Sequence, residues 1–548
     1  MAFRRLNIGL TSGFAAAAVA LAGCGGGGST APTPTPTPSP TPTPAPAPMP
    51  ILQTMANQPP VGVFLAMLLT DGSIMAQANP ANVAGASAAD FYRLTPDVNG
   101  NYLNGTWTHL AQPPVGYAPY AGAQAVLADG RVLFVGGEYN QDNYALPFAP
   151  SALTNMSAVY DPVANTWAMI PAPPGQAYIG DVPSVVLPNG VFVYGDKLDK
   201  KMWALDPANL IWTARGSSGK ADNFAEEGLT LLPSGDVLTV DMVNTPQSEL
   251  YATATQTWIS AGATPSLLTS PTDYPAGLTY GPAPVQVVGG VSYGPGPTGT
   301  YLPPGEIGPA ILRPDGTVFA AGSAVSGQAG HSAVYHASTT AGQIGSWTTG
   351  PDFPNLDNAG DTSAVLLPGG NVLVAGNTGA LYEFNGSTLA QTVVAPISKN
   401  SVPIFLLPLP SGQVLVLGPT LNLLARVYTP VGSASAAWAP TITSVPAALT
   451  RGKTYAVTGT QFNGLSQASA YGDELSSATN YPLVRLTLNA TGHVFYARTH
   501  GHSSMGVATG ATPITTNFDV PTGAEIGAAT LVVVANGVAS AAMAVTIN

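Results

Sequence analysis

An apolar run, a short turn ending in glycine and a second apolar run recur seven times along this chain. The turns fall at Gly72, Gly130, Gly190, Gly235, Gly316, Gly370 and Gly412. One copy reads Val185-Val186-Leu187-Pro188-Asn189-Gly190-Val191-Phe192-Val193; another reads Val365-Leu366-Leu367-Pro368-Gly369-Gly370-Asn371-Val372-Leu373. Near-continuous apolar runs suit strands covered on both faces, and the tight turn between them predicts a hairpin. An aromatic strand usually follows, as at Tyr160, Tyr251 and Tyr335, and a tryptophan strand ends most units, at Trp107, Trp167, Trp212, Trp258 and Trp347. Four strands per unit, repeated seven times, predict a β-propeller. Residues 51–57 stand before the first unit like a lone outer strand. They are expected to complete the seventh blade and close the ring, which removes exposed sheet edges.

From about Trp438 the pattern changes. Residues 440–446, 453–459, 481–489, 493–499, 517–521, 529–534 and 542–547 read as seven strands of a small β-sandwich. The expected division is a signal segment at 1–23, a stalk at 24–50, a propeller at 51–437 and a sandwich at 438–548.

The N-terminal segment has its own grammar. Arg4-Arg5 precedes an apolar stretch from Ile8 to Leu21, which is short for a membrane span and reads as a secretory signal. It ends in Leu21-Ala22-Gly23-Cys24, which resembles the bacterial lipobox; Cys24 is the only cysteine. The resemblance implies lipidation at Cys24, and Gly25 after it favours the outer membrane of a Gram-negative cell, on its periplasmic or surface face. Proline then alternates with Thr, Ser or Ala through residues 31–50. That composition favours polyproline II and a stalk roughly 60 Å long at ~3.1 Å per residue.

Charge narrows the partners. Only 8% of residues are charged and the net charge is −12. That excludes the clustered Lys and Arg that nucleic acid requires, and it leaves the lipid as the expected membrane contact. A single cysteine excludes an internal disulfide and a cysteine zinc site.

The fold read here is all-β: a seven-bladed Kelch-type β-propeller followed by an immunoglobulin-like β-sandwich. This layout resembles the galactose oxidase and glyoxal oxidase family. The tail carries the resemblance best, in Ala497-Arg498-Thr499-His500 and in Phe518-Asp519-Val520-Pro521. The family sends the histidine of such a Thr-His pair into the propeller channel as a copper ligand, so the resemblance implies that place for His500. The remaining radical-copper residues have no match. No cysteine is available for a cross-linked tyrosine, and the blade positions of the copper ligands fall at Ala121 and near Pro403. A Cys-Tyr copper radical cofactor is not expected.

Where those ligands would stand, other blades carry acids. Asp181, Glu226 and Asp361 each lie nine residues before a turn glycine, with Glu227 and Glu306 one residue out of register. In a propeller these positions face the central channel, so five carboxylates are expected to converge where His500 arrives. Such a ring suits Ca²⁺ or another divalent cation, an acid–base pair acting on a glycan, or plain hydrogen bonding to inner-strand amides and channel water. His500 and His502 alternate, as a His-x-His metal pair would. Residues 265–304 form a long insertion rich in Gly, Pro and Tyr; its aromatics suit stacking on sugars or packing across the propeller. The expected function is a surface-anchored lipoprotein whose propeller binds a glycan, peptide or partner protein, with a cation in the channel. The alternative is an extracytoplasmic hydrolase, lyase or divergent metal-dependent oxidase using the carboxylates and His500.

Overall fold

The computed structural model describes residues 49–548 except 80–86, 141–152, 272–276, 281–284, 297, 303, 326, 393–403, 419–423 and 476. Cys24, the signal segment and the stalk up to residue 48 lie outside the described residues, as does Pro403. Among the described residues, no helix is long and apolar enough to cross a membrane.

All seven hairpin turns are built alike. In each, the glycine amide donates to the carbonyl three residues back, and that same residue donates to the carbonyl one past the glycine. Leu127, Gly130 and Arg131 show the pattern, with both bonds at 2.8 Å. The glycines hold φ between 74° and 88°, the left-handed conformation that ends a three-residue hairpin loop. The residue before the glycine reinforces the turn: Asp71, Asp129, Asn189 and Asp315 accept the amide two residues on. Proline at the preceding position, as in Pro188 and Pro314, presets the turn backbone.

Seven four-stranded antiparallel sheets result, and they form a seven-bladed propeller. The blades span residues 63–109, 123–170, 184–215, 230–263, 310–349, 364–391 and 405–429. The seventh has only three strands of its own. Ile51–Thr54 pairs antiparallel with Arg426–Thr429 as its outermost strand, so the ring is closed by the two ends of the propeller sequence. Tyrosine on the third strand faces tryptophan on the fourth: Tyr160 with Trp167, Tyr251 with Trp258 and Tyr335 with Trp347 have ring centroids 5.0–5.1 Å apart. These cross-strand pairs bury the outer blade surface.

The C-terminal strands wrap a separate core of Val457, Phe462, Val484, Leu486, Phe518, Leu531 and Val533. Val494–His500 joins its two halves: Val494–Ala497 pairs with Val484–Thr487, and Arg498–His500 pairs with Asn517–Asp519. This sandwich sits on the turn end of the propeller. The Thr499 amide donates to the Thr70 carbonyl, the Met505 amide to Pro188, and the Tyr481 hydroxyl to Leu68.

One sandwich loop leaves that base and runs up the channel. Residues 461–482 connect Thr454–Thr460 to Leu483–Leu488. Leu366 donates to Ala468, Val365 pairs with Ser469, and Ala364 pairs with Ala470, so Ser469–Ala470 is a fifth strand on blade six. Gly472 then packs on the Ile307 carbonyl, where a Cβ would approach to 2.7 Å. The loop thus climbs from the turn end to the mouth, where the inner strands begin.

Candidate functional site

The mouth gathers acids from five blades and from the threaded loop. Asp181, Glu226, Glu306 and Asp361 stand just before the inner strands of blades three to six. Glu138 comes from the segment after the second strand of blade two, and Asp473 and Glu474 from the tip of the sandwich loop. Asp473 has oxygens within 4.8 Å of Asp181 and Glu226 and, in a second group, of Asp361 and Glu474; the charges of Asp181 and Glu226 act on Glu138, and those of Asp361 and Glu226 on Glu306. The backbone is bent to aim them: Gly180, Ala225 and Gly305, each preceding an acid, have positive φ, as does Asp361 itself at 55°. Left-handed Ala and Asp are strained, and such strain collects at functional sites.

One cation faces these seven carboxylates. Lys197, 2% exposed, donates to Asp181 Oδ2 and, at 2.5 Å, to Glu226 Oε2. Burial alone would lower its pKa, but Asp181 and Glu226 outweigh that and hold it well above the usual lysine value. The acids are pushed the other way. Burial raises Asp181 to about 7 and Glu226 to about 8, against the pull of Lys197. Burial, with Glu226 and Asp181 beside it, raises Asp361 to about 6. Glu306 is raised first by the charge of Asp361 and then by burial; Glu138 and Glu474 are raised chiefly by burial. Asp181 Oδ1 and Asp473 Oδ1 are buried with no hydrogen-bond partner. Asp361 keeps exposed surface, unlike Asp181, Glu226, Asp473 and Glu474, which are buried.

The long insertion between blades four and five covers this mouth. It forms two small ribbons, Leu278–Tyr280 with Gly299–Tyr301 and Gln286–Val288 with Val291–Tyr293. Tyr293 donates to the Ile170 carbonyl at 2.6 Å, anchoring the insertion on blade two. Tyr301 is 7% exposed; its ring lies 5.4 Å from Lys197 Nζ and its hydroxyl 3.4 Å from Glu226 Oε1. These two tyrosines are packing and capping groups, buried away from solvent. Tyr274 and the side chain of Tyr280 lie outside the described residues.

Three residues expected at the mouth are placed elsewhere. Glu227 follows Glu226 but turns into blade four, where it accepts from Lys220 at 2.9 Å and from Thr239. His500 stays in the sandwich, with Nε2 3.1 Å from Asp519 Oδ1. Its strand passes under blades one and two, beside Thr70 and Asp129, which holds it at the turn end. His502 is buried against Thr516 and stacked on Tyr481, and burial lowers it to about 3. The sandwich therefore reaches the mouth through Asp473 and Glu474 rather than through a histidine.

Glu138, Lys197, Asp473 and Glu474 were not singled out from the sequence, although two signals point to them. The second strand of a blade returns to the mouth, so Glu138 and Lys197, eight and seven residues after their turn glycines, both lie just past it. The gap between the strands read at 453–459 and 481–489 is long for a sandwich connection and carries Asp473-Glu474.

The donor set is oxygen with one ammonium. All six histidines are placed away from the mouth: His109 with Asp90, His331 with Asp352, His336 with Thr348, His493 with Glu525, and His500 and His502 as above. Copper prefers imidazole and sulfur donors, so these residues do not fit a copper centre, whereas carboxylates suit hard cations.

No family model matches the chain. It is similar to the Kelch-like protein terF of Aspergillus terreus, at 31% identity over 96 residues. That match spans 17% of this chain and about a fifth (19%) of the curated relative. Among solved structures, a fungal alcohol oxidase of the AA5 family, in complex with copper, aligns with a TM-score of 0.48 at 12% identity, over 91% of this chain and 98% of that one. Virginiamycin B lyase from Staphylococcus aureus, crystallised with quinupristin, aligns at 0.42 and 10%, over 70% and 99%. At these values neither structure carries an argument about function.

Proposed function

We propose that this chain is an exported, lipid-anchored binding protein whose propeller carries a hard divalent cation of the Ca²⁺ class at its acid-lined mouth. The observation that carries the reading is the mismatch at that mouth. Among the described residues, seven carboxyl groups, four of them buried, gather where one ammonium pairs with two, and two buried oxygens have no hydrogen-bond partner. Uncompensated buried carboxylates are costly; a bound cation removes the cost, and protonation is the alternative relief. Loops around the loaded mouth then form the surface offered to a glycan, peptide or protein. The Kelch-like similarity supports a binding platform of this kind, since propellers serve widely as such platforms.

The test is metal analysis of the protein purified without chelator, with thermal melts before and after EDTA. One equivalent of Ca²⁺ or a similar ion, and a melt that falls on chelation, is expected. Metal-free protein with an unchanged melt would overturn the cation reading. Anchoring has its own test: Cys24→Ala is expected to move the protein from the membrane to the soluble fraction, and unchanged fractionation would contradict it.

A further inference from the structure

Two sets of three acids at the mouth each offer oxygens lying within 4.8 Å of one another: Asp181, Glu226 and Asp473, and Asp361, Asp473 and Glu474. Oxygens at that spacing can share one ion with bonds of about 2.3–2.6 Å. The two sets are not equivalent. Lys197 already bridges Asp181 and Glu226. A dication seated there would meet the ammonium at close range in a medium that screens poorly. No described lysine or arginine forms an ion pair with Asp361, Asp473 or Glu474. Asp473 is only 6% exposed, and its Oδ1 is unpartnered.

The space beside Asp473 fits the same assignment. A cleft between blades four and five, lined by Asp473 and Gly472 and otherwise mostly by apolar side chains such as Leu229, Val240, Ile307 and Trp347, has a volume of about 30 Å³. That is room for one or two water molecules. Glu306 stands next to Ile307, which lines this cleft.

We propose that Asp361, Asp473 and Glu474 hold the divalent cation, with Lys197 serving as a built-in cation for Asp181 and Glu226, and that the ion fastens the sandwich loop to the propeller. This rests on the reading of the mouth as a cation site. Two of the three ligands belong to residues 461–482 and the third to blade six. An ion between them closes the loop at its tip, as Ser469–Ala470 pairing closes it midway.

The experiment strips the full protein with chelator and titrates Ca²⁺ calorimetrically, in wild type and in Asp473→Asn, Glu474→Gln and Asp181→Asn. Affinity is expected to fall about tenfold to a hundredfold, or vanish, in the first two variants. In Asp181→Asn, where Glu226 still pairs with Lys197, it is expected to stay within about threefold of wild type. Hydrogen exchange of residues 469–475 in wild type is expected to slow when Ca²⁺ is added. If wild type binds no Ca²⁺, the cation reading falls and this inference with it. If wild type binds but Asp181→Asn weakens binding as much as Asp473→Asn does, or loop exchange ignores Ca²⁺, the ligand assignment alone falls. Should Asp473→Asn fail to fold, Glu474→Gln and the wild-type exchange measurement decide the matter.

Discussion

Blades three and four hold two buried acid nests a few residues apart in sequence, and they are built on different terms. In the blade-four nest, Lys220 is a hub. Its ammonium lies 2.6 Å from Asp222, 2.9 Å from Glu227 and 2.6 Å from Glu249, with the rings of Phe224 and Trp258 against it. The spare oxygens are also used: Thr239 donates to Glu227, the Ala221 amide to Glu249, and the Asn244 amide to Asp222. Asp241 Oδ1 and Glu249 Oε2 have no hydrogen-bond partner, although Glu249 Oε2 lies within ion-pair distance of Lys220. In the channel nest, Lys197 reaches two of seven acids. The number of acids says little by itself. What separates the two nests is how many acids the buried ammonium reaches: three around Lys220, and two of seven around Lys197.

The largest expected effect comes from breaking the self-sufficient nest. Lys220→Met leaves three carboxylates facing one another in a buried space, and removing one partner of such a network costs about 3–5 kcal/mol. Thermal melts of this variant are expected to show a large loss that added Ca²⁺ does not restore. If Ca²⁺ restores the melt, the blade-four nest is a cation site and the contrast collapses. Lys197→Met, assayed with Ca²⁺ present, is expected to lose less than Lys220→Met, because the neighbouring channel acids then have a second cation.

The pH dependence sharpens the same comparison. A carboxyl whose folded pKa lies above its unfolded value of about 4 favours the folded state most when protonated. Its contribution is complete at low pH and is lost as pH rises toward the folded value. With Asp361 at about 6, Asp181 at about 7 and Glu226 at about 8, that loss spans roughly pH 4 to 8. Asp241, raised by burial to about 7, adds to it from the other nest. In EDTA the protein is therefore expected to melt higher at pH 5 than at pH 8. Ca²⁺ is expected to raise the pH 8 melt and barely affect the pH 5 one, since protons compete for the ligands. A metal-free melt that rises from pH 5 to pH 8 would contradict this.

Smaller effects test the cover and the discarded ligand. Tyr301→Phe removes a long hydrogen bond to Glu226 and keeps the ring over Lys197. A loss of no more than about 1 kcal/mol is expected, with faster removal of metal by chelator in stopped-flow mixing. His500→Gln removes a half-exposed contact with Asp519; little stability and none of the bound metal should go with it. Loss of metal in His500→Gln would return that histidine to the site.

The propeller was legible because its signal is local. Each turn needs a left-handed glycine flanked by apolar strands, and seven turns in one chain leave few other architectures. Asp181, Glu226 and Asp361 were legible for a related reason, since nine residues before the glycine is the entry to the inner strand, and Glu306 lies one residue further out at the same end. Glu227 shares that neighbourhood but is drawn into blade four by Lys220 and Thr239, in a turn before the strand where side-chain alternation does not apply. His500 could not be placed from its Thr-His motif. Its position depends on which part of the sandwich enters the channel, and that is decided by packing against the turns at Thr70, Asp129 and Pro188. Asp473 and Glu474 sit in a loop whose path depends on its pairing with blade six, a contact between residues more than a hundred positions apart.

The most direct measurement is calorimetric titration of Ca²⁺ into the chelator-stripped protein near pH 8, where the channel acids are least protonated. A single binding event that disappears in Glu474→Gln and survives in His500→Gln is the result this account predicts. The absence of binding in the wild-type protein, with melts that ignore Ca²⁺, would contradict it and leave the channel acids as a proton-sharing network.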